Sequence, residues 1–140
     1  MIHIWKIIPL TIALSWSSLG LAANCSSALH NNTVNQLNIP AGTTCTVSNS
    51  SVEGDVSLQK GASLILNSSS IQGSIHANQA KAVRLINSSV SGDVHASQAA
   101  TTITLEKSVI SGDIHCASST RLQANQSSIE GQKIGQCRSL

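Results

Sequence analysis

The chain is 140 residues long, with eight Lys and Arg against six Asp and Glu, two Trp, and neither Phe nor Tyr. That length fits one domain, and the near-balanced charge leaves no electrostatic footprint for nucleic acid or an anionic membrane surface. Both tryptophans, Trp5 and Trp16, lie in the first 23 residues, so the rest of the chain must build its interior without the aromatic rings that ordinary cores use to bury area.

The first stretch reads as a targeting signal. Lys6 precedes an apolar run from Ile7 to Trp16, and Ser15 to Ala23 turns small, with Gly20-Leu21-Ala22-Ala23 offering cleavage after Ala22 or Ala23. The run is shorter than the ~20 apolar residues that span a bilayer. Residues 1–23 are therefore expected to be a cleaved signal peptide, and residues 24–140 the folded domain with its terminal caps, without stable membrane insertion. Asn24 is a poor neighbour for a lipidated Cys25, which argues against a lipoprotein. The expected location is periplasmic or secreted. All four cysteines, Cys25, Cys45, Cys116 and Cys137, lie after the leader, and an even count in an exported chain reads as disulfides.

Downstream the chain repeats one phrase, Ser-x-x-x-Gly-x-x, with apolar residues two before and usually two after the glycine. Gly54, Gly73, Gly92, Gly112 and Gly131 give steps of 19, 19, 20 and 19, a period that marks a solenoid. Counted from the glycine, position −2 is Val52, Ile71, Val90, Ile110 and Ile129, and position +2 is Val56, Ile75, Val94 and Ile114. Positions +10 and +12 are Leu64 with Leu66, Val83 with Leu85, Ile103 with Leu105 after one extra residue, and Leu122 with Ala124. Apolar residues alternate within each segment and many are β-branched, which is strand patterning. The fold class expected is all-β: a right-handed parallel β-helix of about five to six coils of 19–20 residues, capped by disulfides.

Position −4 is always serine, at 50, 69, 88, 108 and 127. Alternation places it on the inner face, so a stack of hydroxyls bonded to one another or to backbone is expected at one corner. The glycine is assigned to a turn that needs positive φ or a close backbone approach. Nineteen residues before Gly54 stands Asn35, which tolerates the left-handed conformation, so coils are expected from about residue 31 to 135, with Asn24 to Asn32 and Gln132 to Leu140 as caps. Cys25 lies 20 residues before Cys45 and Cys116 lies 21 before Cys137. Each interval is about one coil, so stacking predicts the pairs Cys25–Cys45 and Cys116–Cys137.

Chemistry concentrates in two columns. Position +3 is His76, His95 and His115, and position +1 is Asp55, Ser74, Asp93 and Asp113. Both flank the inward +2 residue, so both point outward. One reading is a solvated ladder, repeated because coils descend from copies. The other is a metal site in which His76, His95 and His115 bind Zn²⁺ or Cu²⁺, with Asp93 or Asp113 orienting a ring. A flat ladder does not readily offer the tetrahedral arrangement Zn²⁺ prefers. His30 stands outside the columns as a solvated residue. No Gly-x-Ser-x-Gly elbow and no phosphate-cradling glycine loop is present, and no catalytic residue is assigned. Asn-x-Ser/Thr at Asn24, Asn31, Asn49, Asn67, Asn87 and Asn125 supplies turn residues in a bacterial protein and glycosylation acceptors in a eukaryotic one.

The run Leu85-Ile86-Asn87-Ser88-Ser89-Val90-Ser91-Gly92-Asp93-Val94 resembles the repeats of bacterial autotransporter passenger domains, the pertactin-like right-handed parallel β-helices, and the likeness extends over about residues 45–131. It implies a β-helix in an envelope context, with adhesion among the roles. The chain departs from that family in leaving no room for a translocator barrel. Cytosolic bactofilins also stack glycine-punctuated coils, but the leader and paired cysteines argue against them. A left-handed helix would repeat in hexads, which these positions do not.

The function expected is therefore structural or binding, without catalysis. A rigid rod would present a repeated polar face to an envelope glycan or protein, with self-stacking of end coils as a further partner mode. Metal binding by the ladder is the second reading. A carbohydrate-active enzyme is the third, disfavoured because steps that vary by one residue leave no long loop to build a cleft.

Overall fold

The computed structural model describes residues 22–98 and 100–139. The expected leader lies outside the described residues except for Ala22 and Ala23. The described chain is a right-handed parallel β-solenoid of about six coils, whose strands form three parallel sheets. The first sheet stacks Ala22–Asn24, Gln36–Ile39, Val56–Leu58, Ile75–His76, Val94–Ala96, Ile114–Cys116 and Lys133–Gly135. The second is the widest, with five-residue strands such as Ser63–Asn67, Ala82–Ile86 and Thr102–Glu106. The third is made of two-residue strands from Thr33–Val34 to Ser128–Ile129.

Register follows the repeat. Val56, Ile75, Val94 and Ile114 lie over one another, as do Val52, Ile71, Val90 and Ile110. Alternation sends these side chains into a continuous bore, where they are fully buried together with Leu64, Leu66, Leu85, Ile103 and Leu105. Each such burial stabilises the stack by about 1.5–3 kcal/mol, and no coil could bury its own face without neighbours. The extra residue of the 20-residue step falls between Val94–Ala96 and Thr102–Glu106, since His95 to His115 and Ala82 to Thr102 are both steps of 20 while Thr102 to Arg121 is 19.

The serine stack forms as expected, and its bonding is regular. Each hydroxyl donates to the carbonyl two residues upstream, as Ser88 Oγ does to Ile86 O at 2.7 Å and Ser108 Oγ to Glu106 O at 2.8 Å. Each also accepts a backbone N–H from one coil earlier, that of Asn32 at Ser50 Oγ and that of the preceding serine at Ser69, Ser88 and Ser108, all at 3.1 Å.

The corners correct the turn assignment. Of the two roles open to the repeat glycines, close approach is the one they fill. Gly73, Gly92 and Gly112 each donate N–H to the glycine carbonyl one coil below, and a Cβ at Gly92 would lie 2.5 Å from the Gly73 carbonyl oxygen. Positive φ belongs to another column, Asn31, Asn49, Ser68, Asn87, Lys107 and Gln126, at 48–50°. Asn35 is not among these residues. The chain turns left-handed immediately before each inward serine, because a bend is needed there to bring the hydroxyl back over its own coil.

The end segments continue the sheets, with strands at Ala28–His30 near one end and at Lys133–Gly135 and Arg138–Ser139 near the other. The first coil is short: Ala23 pairs with Leu37, a step of 14, and Leu29 with Val47, a step of 18. Both expected disulfides form, with Cα separations of 5.6 Å for Cys25–Cys45 and 5.0 Å for Cys116–Cys137. Neither is a vertical stack. The register places Gly135 over Cys116, and Ser27 beside Cys45 by extension of Ala28 on Thr46. Each bridge therefore reaches diagonally across two residues, from the outer coil to the next. Two disulfides imply folding in a non-reducing environment.

Candidate functional site

Among the described residues no buried side-chain nitrogen or oxygen lacks a hydrogen-bond partner, and Thr101 and Thr120 spend their hydroxyls on carbonyls of Ala80 and Ala96 at 2.8 Å. Reactive groups gather instead on the outer face of the first sheet and along its glycine corner.

At that corner the residue after each glycine performs a task that sequence reasoning missed. Asp55 Oδ1 accepts the N–H of Ser74 at 2.8 Å, and Ser74 Oγ accepts that of Asp93 at 2.9 Å. Asp93 Oδ1 accepts the N–H of Asp113, and Asp113 Oδ1 that of Gln132, both at 2.7 Å. Asp and Ser are interchangeable here because each places one oxygen at the reach of the next coil's amide. The signal that could have found this was the constant Ser at −4, where a short oxygen-bearing side chain does the same.

The +3 residues point outward beside this ladder. Register brings His76 over Ser57, His95 over His76, and His115 over His95. The rings stack, with centroids 5.2 Å apart and nearly parallel for His76 and His95, and 4.6 Å apart at 20° for His95 and His115. Burial pushes the His95 imidazole below the usual histidine value, with the charges of His115 and His76 adding to the effect and Asp93 and Asp55 partly offsetting it. His95 thus favours its neutral form, which has a lone pair to offer. His76 Nε2 lies 3.2 Å from Asp55 Oδ2, both groups about half exposed. The Ser74 N–H holds the Asp55 carboxyl below its usual range, followed by the His76 contact.

Of the five residues expected at a metal site, three converge. Ligand atoms of Asp93, His95 and His115 all lie within 4.8 Å of one another, and all three residues are half-buried. His76 sits on Asp55, one position outside this group. Asp113 faces its own upper neighbour, where the +3 column ends at Ile134 in place of an imidazole. His30 lies on the second sheet and is exposed.

No family model matches the chain, and no curated protein or solved structure matches it. Of the expectation drawn from the repeated phrase, the parallel solenoid is the part the structure shows.

Proposed function

We propose that the protein is a non-catalytic binding rod of the cell envelope, exported by its leader, that docks a polymeric envelope glycan along the first sheet. One observation carries this reading. Carboxylates, hydroxyls and imidazoles stand there in two straight columns repeating at one coil rise, about 4.8 Å, held in register by side-chain bonds to backbone. A groove lined by Asn38, Asp55, Ser57, Gln59 and His76 continues the same face toward the first coil, with Asn38 and Gln59 joined at 3.0 Å. A ligand built of repeating polar units meets repeated donors and acceptors on such a surface. Against catalysis stand the coil steps from Gly54 to Gly131, which vary by one residue only and supply no insertion to close a cleft over a reacting bond.

The test is a glycan array, including peptidoglycan fragments and capsular polymers, probed with the disulfide-bonded chain in EDTA. Binding that weakens at least tenfold when Asp55→Ser and His76→Ala are combined supports the face. Absence of binding to any glycan, or binding indifferent to both changes, overturns it.

A further inference from the structure

We propose that Asp93, His95 and His115 form a binding site for one divalent transition-metal ion of the imidazole-preferring class, Cu²⁺ most tightly and Zn²⁺ next. The proposal rests on the first sheet being the binding face and names a ligand for it.

The repeat itself supplies the argument. A site of this kind needs the +1 residue of one coil, the +3 residue of the same coil and the +3 residue of the next. Successive coils offer Asp55, Ser57 and His76; then Ser74, His76 and His95; then Asp93, His95 and His115; then Asp113, His115 and Ile134. Only the third set holds a carboxylate and two imidazoles. It is also the set whose ligand atoms lie within 4.8 Å of one another. The first set lacks a nitrogen, and its histidine is already paired with Asp55 at 3.2 Å.

The donors suit the ion. Asp93 Oδ1 is held by the Asp113 N–H at 2.7 Å, which anchors the side chain and leaves Oδ2 for a metal. Two imidazoles and a carboxylate are a borderline donor set, favouring Cu²⁺ over Zn²⁺ by the usual order of affinities. Zn–N bonds of ~2.0–2.1 Å in a tetrahedral arrangement place ligand atoms ~3.4 Å apart. The three atoms must therefore close by up to ~1.4 Å, a movement within the side-chain torsions of half-exposed residues that leaves the strands in register. Three protein ligands leave a coordination position open to water or to a ligand oxygen. Because His115 belongs to the coil above Asp93 and His95, the ion also ties two coils together.

Titration of the tag-free, disulfide-bonded chain with Cu²⁺ and with Zn²⁺ by calorimetry tests this, with electron paramagnetic resonance of the Cu²⁺ form. The expected result is one ion per chain at micromolar affinity or better, and a spectrum showing two coordinated nitrogens. His95→Ala, His115→Ala and Asp93→Ser each weaken binding at least tenfold, the last while keeping the corner ladder as Ser74 does. His76→Ala leaves it within about twofold. Ser57→His, which completes the first set, raises the stoichiometry from one to two. No uptake at 100 µM metal, equal loss on His76→Ala, or unchanged stoichiometry in Ser57→His overturns the site. Glycan binding in EDTA by a chain that takes up no metal also overturns the site while leaving the binding face intact.

Discussion

Two ladders of side-chain oxygens run the length of the rod and differ in what they leave over. In both, an oxygen on one coil accepts a backbone N–H from a neighbouring coil. The serines at 50, 69, 88 and 108 are buried, and each hydroxyl spends its one proton on a carbonyl two residues upstream while accepting an amide. The Asp and Ser residues at 55, 74, 93 and 113 lie at the surface, and an aspartate needs only one of its oxygens for the same bond. The closed ladder is purely structural. The open one is structural with one oxygen to spare at each aspartate; in one coil that oxygen reaches His76, and in another the Asp93 carboxylate lies near two imidazoles.

The open ladder depends on glycine, and breaking that dependence should have the largest effect. The previous coil's glycine carbonyl and its Asp or Ser oxygen occupy the space a Cβ at Gly92 or Gly112 would need. Gly92→Ala is expected to destabilise the chain by about 3 kcal/mol or more, since the obstruction is backbone and cannot rotate away. Urea unfolding followed by far-UV circular dichroism measures this. A loss below about 0.5 kcal/mol, the ordinary variation of a surface site, would mean the coils can separate there without cost.

The closed ladder comes next. Ser88→Ala removes the acceptor of the buried Ser69 N–H and the donor to Ile86 O, an expected loss of about 1–3 kcal/mol. Asp93→Ala also strands an amide, that of Asp113, but in a half-buried setting that water can reach. The expected loss is about 1 kcal/mol or less, and Asp93→Ser should restore most of it. If Asp93→Ala proved as damaging as Ser88→Ala, the two ladders would be equivalent and the open one would have no freedom to serve a ligand.

How much of this was legible follows from what a period reports. The steps of 19 and 20 carried the coil stacking, the bore residues Val52, Ile71, Val90 and Ile110, the inward serines and the outward histidines, because a constant step forces equal positions to superpose. The period could not tell close approach from positive φ at Gly54 or Gly92, since glycine serves both. It also hid the left-handed column, where Asn, Ser, Lys and Gln alternate at 49, 68, 107 and 126. No single residue type is required at a strained position that others tolerate at modest cost. The cysteine pairs were right because one coil separates them, but the diagonal reach of both bridges arises from end coils that leave the period. At the candidate site, alternation placed all five side chains outward. Which three meet depended on the coil-to-coil offset between +1 and +3, a three-dimensional relation that a column of letters does not display.

That left-handed column offers a change on the closed side alone. Lys107 holds φ at 48° just before Ser108, where Asn31, Asn49 and Asn87 hold the same conformation in other coils. Lys107→Asn should relieve part of the ~1–2 kcal/mol that a left-handed L-residue costs, a gain of about 0.5–1 kcal/mol. Thermal unfolding of the variant should shift upward, with metal and glycan binding unchanged. A downward shift would show that the lysine makes a compensating contact.

The smallest effect is the one that separates the ladders by charge. Only the open ladder titrates. The Asp55 carboxyl is held below its ordinary value of 3.8 chiefly by the Ser74 N–H and then by His76. A depressed folded pKa means the unfolded chain binds the proton more readily, so stability is gained above the unfolded value and lost as pH falls through the folded one. Asp55→Ser keeps an acceptor for Ser74 and removes the titrating group. Wild type should therefore exceed Asp55→Ser in melting temperature at pH 5 and lose that advantage progressively below about pH 4. Asp55 is half exposed, so solvent screens the difference to a degree or so in melting temperature. Ser88→Ala, measured over the same range, should show a gap from wild type that does not change with pH. If the two gaps moved together, neither the Ser74 N–H nor His76 would be holding the Asp55 carboxyl below its ordinary value.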